Sequence, residues 1–174
     1  MTSMNHSLSG PGFRRRIYLG PLQFLRDLWR VVTLSRTVLS LSFKGGISAG
    51  FRERLMLVVT AVNRCRHCAY GHEILARRAG LSQVEIAGLL MLDLANCPEY
   101  ELAGLRYAIH WAECDGQPAA DARSFLEARY GATRARQIDT VCLLIQVGNR
   151  VGNTFDFLLS WISRGRFGLL PDER

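Results

Sequence analysis

Residues 63–82 read Asn63-Arg64-Cys65-Arg66-His67-Cys68-Ala69-Tyr70-Gly71-His72-Glu73-Ile74-Leu75-Ala76-Arg77-Arg78-Ala79-Gly80-Leu81-Ser82. After Cys65 the stretch has the composition of a helix, with Gly80 suited to the position past its end. Ser82, with Glu85 three residues on, has the spacing of a capping box that opens the next helix through Met91. Upstream, from Phe51 to Val62, Leu55, Val58, Val59 and Val62 fall on one helical stripe. Downstream, Pro98 stands at a first helical position with Glu99 and Glu101 behind it, and that helix is expected to run to about Glu113. After the turn Asp115-Gly116-Gln117-Pro118, a short helix from Ala119 to Tyr130 is expected to close at Gly131. Thr133 then caps a long last helix through Ile138, Val141, Cys142 and Ile145 toward Trp161. No stretch alternates as a strand does, so the fold class is all-α. Ala-Gly-Leu recurs from residues 79, 87 and 103, without the fixed period a repeat architecture requires.

The chain of 174 residues has 48% hydrophobic and 21% charged residues, the balance of a globular chain. Its net charge of +7 is unevenly spread. Residues 1–44 hold seven basic residues against Asp27 alone, whereas residues 45–174 are nearly neutral. A nucleic-acid-binding domain carries its basic stripe on the folded body, so nucleic acid is not the expected partner. Residues 1–16, rich in Ser, Gly, Pro and Arg, read as a flexible basic arm. Residues 17–44 read as an amphipathic helical extension, with Leu22, Leu25, Leu28, Trp29, Val32 and Leu39 at helical spacing. A helix over residues 20–43 is expected to lay this face on the domain or in a subunit interface, in preference to a membrane surface. Gly45 and Gly46 separate it from the domain of residues 45–174. Gln23, Arg26, Asp27 and Arg30 interrupt any export-signal core, and the expected compartment is cytoplasmic.

Five cysteines cannot all pair. Cys97, Cys114 and Cys142 are isolated and read as small apolar core residues, while Cys65 and Cys68 form a Cys-x-x-Cys. On a helix Cys65, Cys68 and His72 fall within an arc of about 60°, and the helix N-terminus near Cys65 favours a thiolate. A base, a positive dipole and a second thiol are what a redox-active thiol requires. Glu53, on the preceding helix, reads equally as a partner of His72 and as an exposed charge paired with Arg52 or Arg54. His67 lies on the far side of the helical wheel, where a solvated or hydrogen-bonded histidine is as good a reading as a functional one.

Glu53-x11-Cys65-x-His67-Cys68-x3-His72, followed by Ala76-Arg77-Arg78-Ala79-Gly80-Leu81-Ser82 and Glu85-Ile86, resembles the alkylhydroperoxidase D-type (AhpD-like) proteins of the carboxymuconolactone decarboxylase superfamily. The likeness extends through Leu102–Ala108 to Gly148-Asn149-Arg150-x2-Asn153. The resemblance implies an all-helical homo-oligomer that reduces hydroperoxides. It assigns Cys68 as the attacking thiol, Cys65 as the resolving one, Glu53 and His72 as a proton relay, and His67 as a supporting member. It also implies a dithiol electron donor such as a lipoylated or thioredoxin-like protein, and no flavin, haem or metal. The alternatives are a carboxymuconolactone decarboxylase-like enzyme, for which no lactone-binding set is evident, and a non-catalytic redox-responsive oligomer. Zinc on Cys65, Cys68 and His72 lacks a second closely spaced ligand pair. Attachment of haem needs a histidine directly after Cys68, where Ala69 stands.

Overall fold

A computed structural model describes residues 12–41 and 46–174. Its elements are α1 (Pro21–Thr33), α2 (Ser35–Ser40), α3 (Ala49–Asn63), α4 (Arg66–Arg78), α5 (Gln83–Leu90), α6 (Leu102–Glu113) and α7 (Ala120–Ile162). Short 3-10 turns lie at Glu99–Glu101 and Pro171–Glu173. Among the described residues there is no strand, and the fold is an all-α bundle, as expected.

The bundle is built around α3, which packs on α4, α5, α6 and α7. The sequence suggests one apolar stripe, but Leu55, Leu57, Val58 and Val59 are all fully buried, so α3 is enclosed on nearly every side. Ser48 Oγ accepts a hydrogen bond from Phe51 N at its start. Gly104 of α6 packs so close to the Phe51 ring that a β-carbon there would stand 2.6 Å from Cζ. Leu105, Ala108 and Trp111 of α6 meet Ile138, Val141 and Cys142 of α7 in the same core.

Several local expectations are modified. Ser82 Oγ does accept from Glu85 N at 3.2 Å, but the Glu85 carboxylate accepts from Arg54 Nε at 2.6 Å, as a buried ion pair. Glu101 completes this cluster, accepting from Arg54 Nη1 at 3.0 Å. Pro98 precedes a 3-10 turn and not an α-helical first turn. The short helix after residue 119 does end at Gly131, as expected, where φ +78°, ψ 155° favours glycine; the last helix starts directly behind it, so the two run end to end as α7. Thr133 therefore lies within a helix. Of the three isolated cysteines, only Cys142 is a fully buried core residue. Cys97 packs partly buried against the core, and Cys114 sits 3.7 Å from the His110 ring nitrogens.

The amino-terminal segment also departs from expectation. Residues 1–11 of the expected arm lie outside the described residues, but residues 12–16 are docked and not free. Arg15 is fully buried at its side chain, paired with Asp156 at 2.6 Å and Glu173 at 3.2 Å. Arg16 donates to Asn63 Oδ1 at 2.9 Å and to the Ala112 and Glu113 carbonyls at the end of α6. The expected single helix over 20–43 is two, interrupted at Leu34, and residues 42–45 lie outside the described residues. The apolar face of α1 does not pack on this chain's domain: Leu25, Leu28, Trp29 and Val32 are all exposed. Among the described residues no helix is long and apolar enough to cross a membrane.

Candidate active site

The connection from α3 to α4 aims the Cys-x-x-Cys pair. Arg64 takes the left-handed conformation (φ 55°, ψ 38°) and turns the chain sharply after α3. Cys65 is the N-cap of α4, with extended backbone, and its Sγ accepts from Cys68 N at 3.4 Å. A sulfur thus occupies the place a serine oxygen takes in ordinary caps, where the unpaired N–H groups of the first turn converge. From the other side, Asn153 Nδ2 of α7 donates to the Asn63 carbonyl at 2.9 Å and steadies the turn.

Cys65 Sγ and Cys68 Sγ are 2.7 Å apart, as free thiols with one hydrogen-bonded to the other. The hydrogen bond from Cys68 lowers the Cys65 pKa to about 7 despite the burial that opposes it, with backbone N–H groups and the field of His67 adding to the effect. The same hydrogen bond, together with burial, holds the proton on Cys68 and raises its pKa. Such a pair titrates as a unit, so the first proton leaves near neutrality with its charge mainly on Cys65. The two sulfurs differ in access: Cys65 is 1% exposed, whereas Cys68 is only half-buried.

Glu53 is buried on α3, and its Oε2 lies 2.8 Å from His72 Nδ1. Glu53 is therefore not exposed; it meets His72 through Oε2 and is ion-paired more loosely with Arg52, 3.8 Å from Oε1, while Arg54 is occupied by Glu85 and Glu101. A carboxylate at Nδ1 fixes the imidazole's orientation and favours the tautomer with hydrogen on Nδ1. No hydrogen bond joins His72 to either thiol among the described residues.

His67 is turned away from Glu53 and His72, toward α7. Its Nε2 is 2.9 Å from Asp156 Oδ1, and its ring meets Phe155 edge-on at 5.9 Å between centroids. Asp156 is fully buried and also accepts from Arg15 and Arg66. Burial alone would raise its pKa, but the hydrogen bonds from Arg15, His67 and Arg66 outweigh it and hold the carboxyl below the usual range. Four site residues were not singled out from sequence: Asp156, Arg15, Arg66 and Gly152. A β-carbon on Gly152 would stand 2.8 Å from Cys65 Sγ and 3.8 Å from Cys68 Sγ, so a glycine is what lets α7 pass beside the dithiol. The available signal was the four-residue series Gly148, Gly152, Asp156, which places all three on one side of a helix.

The sequence model of the carboxymuconolactone decarboxylase family matches residues 28–113. That segment, just under half of the chain, is similar to this family. No curated protein and no solved structure matches the chain. The matched segment contains Glu53, Cys65, His67, Cys68 and His72, whereas Gly152, Asn153 and Asp156, which buttress the dithiol from α7, follow it in sequence. Among the described residues no three His, Cys, Asp or Glu side chains converge as a metal cluster.

Proposed function

We propose that this protein is a thiol-dependent oxidoreductase that reduces hydroperoxides through Cys65 and Cys68. The observation that carries the reading is the 2.7 Å contact between two free sulfurs at the head of α4. Near pH 7 the pair loses one proton. The charge rests mainly on buried Cys65, and transfer of the remaining proton across the short S···S contact delivers the thiolate to Cys68, the sulfur with access to solvent. Cys68 attacks the terminal peroxide oxygen, the S–O bond forming as the O–O bond breaks. The departing alkoxide takes a proton and leaves as alcohol, which makes His72, held by Glu53, the proton donor. The sulfenic acid on Cys68 is then attacked by Cys65. Its oxygen leaves as water with a further proton, and the Cys65–Cys68 disulfide remains. An external dithiol, of the kind a lipoylated or thioredoxin-like protein presents, restores both thiols by exchange. Net, one hydroperoxide and two thiols give alcohol, water and one disulfide.

The test is rapid-mixing oxidation with alkyl and hydrogen peroxides under single-turnover conditions, followed by peptide mass spectrometry. The expected product is the Cys65–Cys68 disulfide formed with one peroxide consumed per chain, and repeated turnover when a dithiol is supplied. Lactone consumption by a Cys65→Ser/Cys68→Ser variant would replace this reading with the decarboxylase one. A single oxidation with no turnover would leave a sensor.

A further inference from the structure

Two histidines accompany the dithiol, and each stands against a buried carboxylate at the opposite ring nitrogen. Glu53 meets His72 at Nδ1, whereas Asp156 meets His67 at Nε2. An ionised carboxylate accepts hydrogen bonds and cannot donate them. Asp156 is held below the usual carboxyl range, so His67 carries its hydrogen on Nε2 and leaves Nδ1 as the open nitrogen. Among the described residues Nδ1 of His67 has no hydrogen-bond partner, and the side chain is 45% exposed. The ring can therefore gain or lose a proton at Nδ1 without breaking its bond to Asp156. Its neutral and charged forms keep one position.

We infer that Asp156 is a positioning residue for the dithiol, pinning the His67 imidazole where its positive form stabilises the Cys65 thiolate. A β-carbon on Gly152 would stand 2.8 Å from Cys65 Sγ and 3.7 Å from His67 Cδ2, so sulfur and ring flank the same point of α7. The field of His67 lowers the Cys65 pKa and has no counterpart at Cys68. Asp156 is itself immobilised, with Oδ1 accepting from Arg66 Nη2 at 2.6 Å and Oδ2 from Arg15 Nη1 at 2.6 Å. Those two arginines balance its charge within the cluster, which keeps its negative field from opposing the thiolate. Docking of Arg15 alone does not call for the imidazole, because Glu173 and the Gly168 carbonyl also hold that guanidinium. The remaining charged groups nearby are engaged elsewhere: Glu53 with His72, Arg64 with Asp172 and Glu173 with Arg15. The role in turnover rests on the proposed dithiol chemistry, in which Cys65 attacks the Cys68 sulfenic acid as a thiolate.

Measurements on the reduced full chain, without peroxide, decide the inference. Histidine ¹⁵N spectra of the unmodified protein should show neutral His67 with hydrogen on Nε2, and hydrogen on Nδ1 overturns it. The thiolate absorbance midpoint near pH 7 should rise by about one unit in Asp156→Asn and in His67→Gln, the low end of what a facing charge supplies. The double variant should move it no further than the larger single shift. A downward shift in Asp156→Asn, or one that adds in full to that of His67→Gln, would make Asp156 a bare charge acting without the imidazole and overturn the inference. So would an unmoved midpoint in His67→Gln, which alters a half-exposed side chain and decides the matter even where Asp156→Asn fails to fold. Upward shifts in a protein that reduces no peroxide would remove the redox reading and leave the positioning role standing.

Discussion

Gly152 of α7 and Cys65 of α4 approach so closely that the smallest side chain would stand 2.8 Å from the sulfur. Gly152→Ala must therefore move the sulfur, the turn at Arg64 or α7 itself. Overpacking of this kind costs about 1–3 kcal/mol. The expected outcome is a lower urea midpoint with slower Cys65–Cys68 disulfide formation. Gly148→Ala, where a β-carbon meets nothing within 4 Å, should be neutral or stabilising. Equal behaviour of the two variants would remove the argument from close approach.

The two cysteines should separate in function. Cys65→Ser is expected to leave a trappable sulfenic acid on Cys68, whereas Cys68→Ser should lose rapid peroxide reactivity because the remaining sulfur is 1% exposed. Dimedone labelling read by mass spectrometry checks the assignment, and a sulfenic acid found mainly on Cys65 would reverse it.

The pH dependence follows from the lowered thiol. The ultraviolet absorbance of the thiolate, which needs no access for a reagent, should rise with pH through a midpoint of about 7 in the unmodified protein. Cys68→Ala removes the hydrogen-bond donor that lowers the Cys65 pKa, so the midpoint should move upward. An unmoved midpoint would locate the cause at the helix terminus instead.

Glu53→Gln and His72→Gln test the relay. General acid–base assistance is typically worth about 10²- to 10⁴-fold, so each should slow single-turnover oxidation within that range without loss of helical signal. If they act as a unit, the double variant should be little slower than the worse single one. Multiplicative losses would mean separate contributions.

Asp156 and Glu173 share buried Arg15, so Arg15→Met leaves two buried carboxylates poorly compensated. The expected loss is about 3–5 kcal/mol by urea denaturation at pH 7. It should shrink at acid pH, where protonation relieves the unpaired charges.

Periodicity was enough for the helical order from Phe51 to Glu113, because apolar spacing and caps such as Ser82 act over three or four residues. It failed where a distant partner overrides the local signal. Glu85 has capping-box spacing, but its carboxylate is taken by Arg54 from another helix. The three arginines at 14–16 read as solvated charge, and nothing near them in sequence announces the carboxylates at 156 and 173. At the site, Cys65, Cys68 and His72 were legible because they share a helix. The Glu53–His72 contact, and the turning of His67 toward Asp156, depend on how α3 and α7 pack on α4.

The Arg15–Glu173 contact links residues 158 positions apart. Such a contact carries nearly the full loop-closure entropy of the described chain, so its formation belongs late in folding. Its opening is correspondingly an early event in unfolding, and Asp156 joins it directly to Arg66 and His67 at the head of α4. Fraying of either terminal segment would thus be felt within one residue of both sulfurs, before any helix of the core has melted. Amide exchange in α4 should therefore track the terminal segments more closely than it tracks α3, although α3 is the helix that α4 packs on.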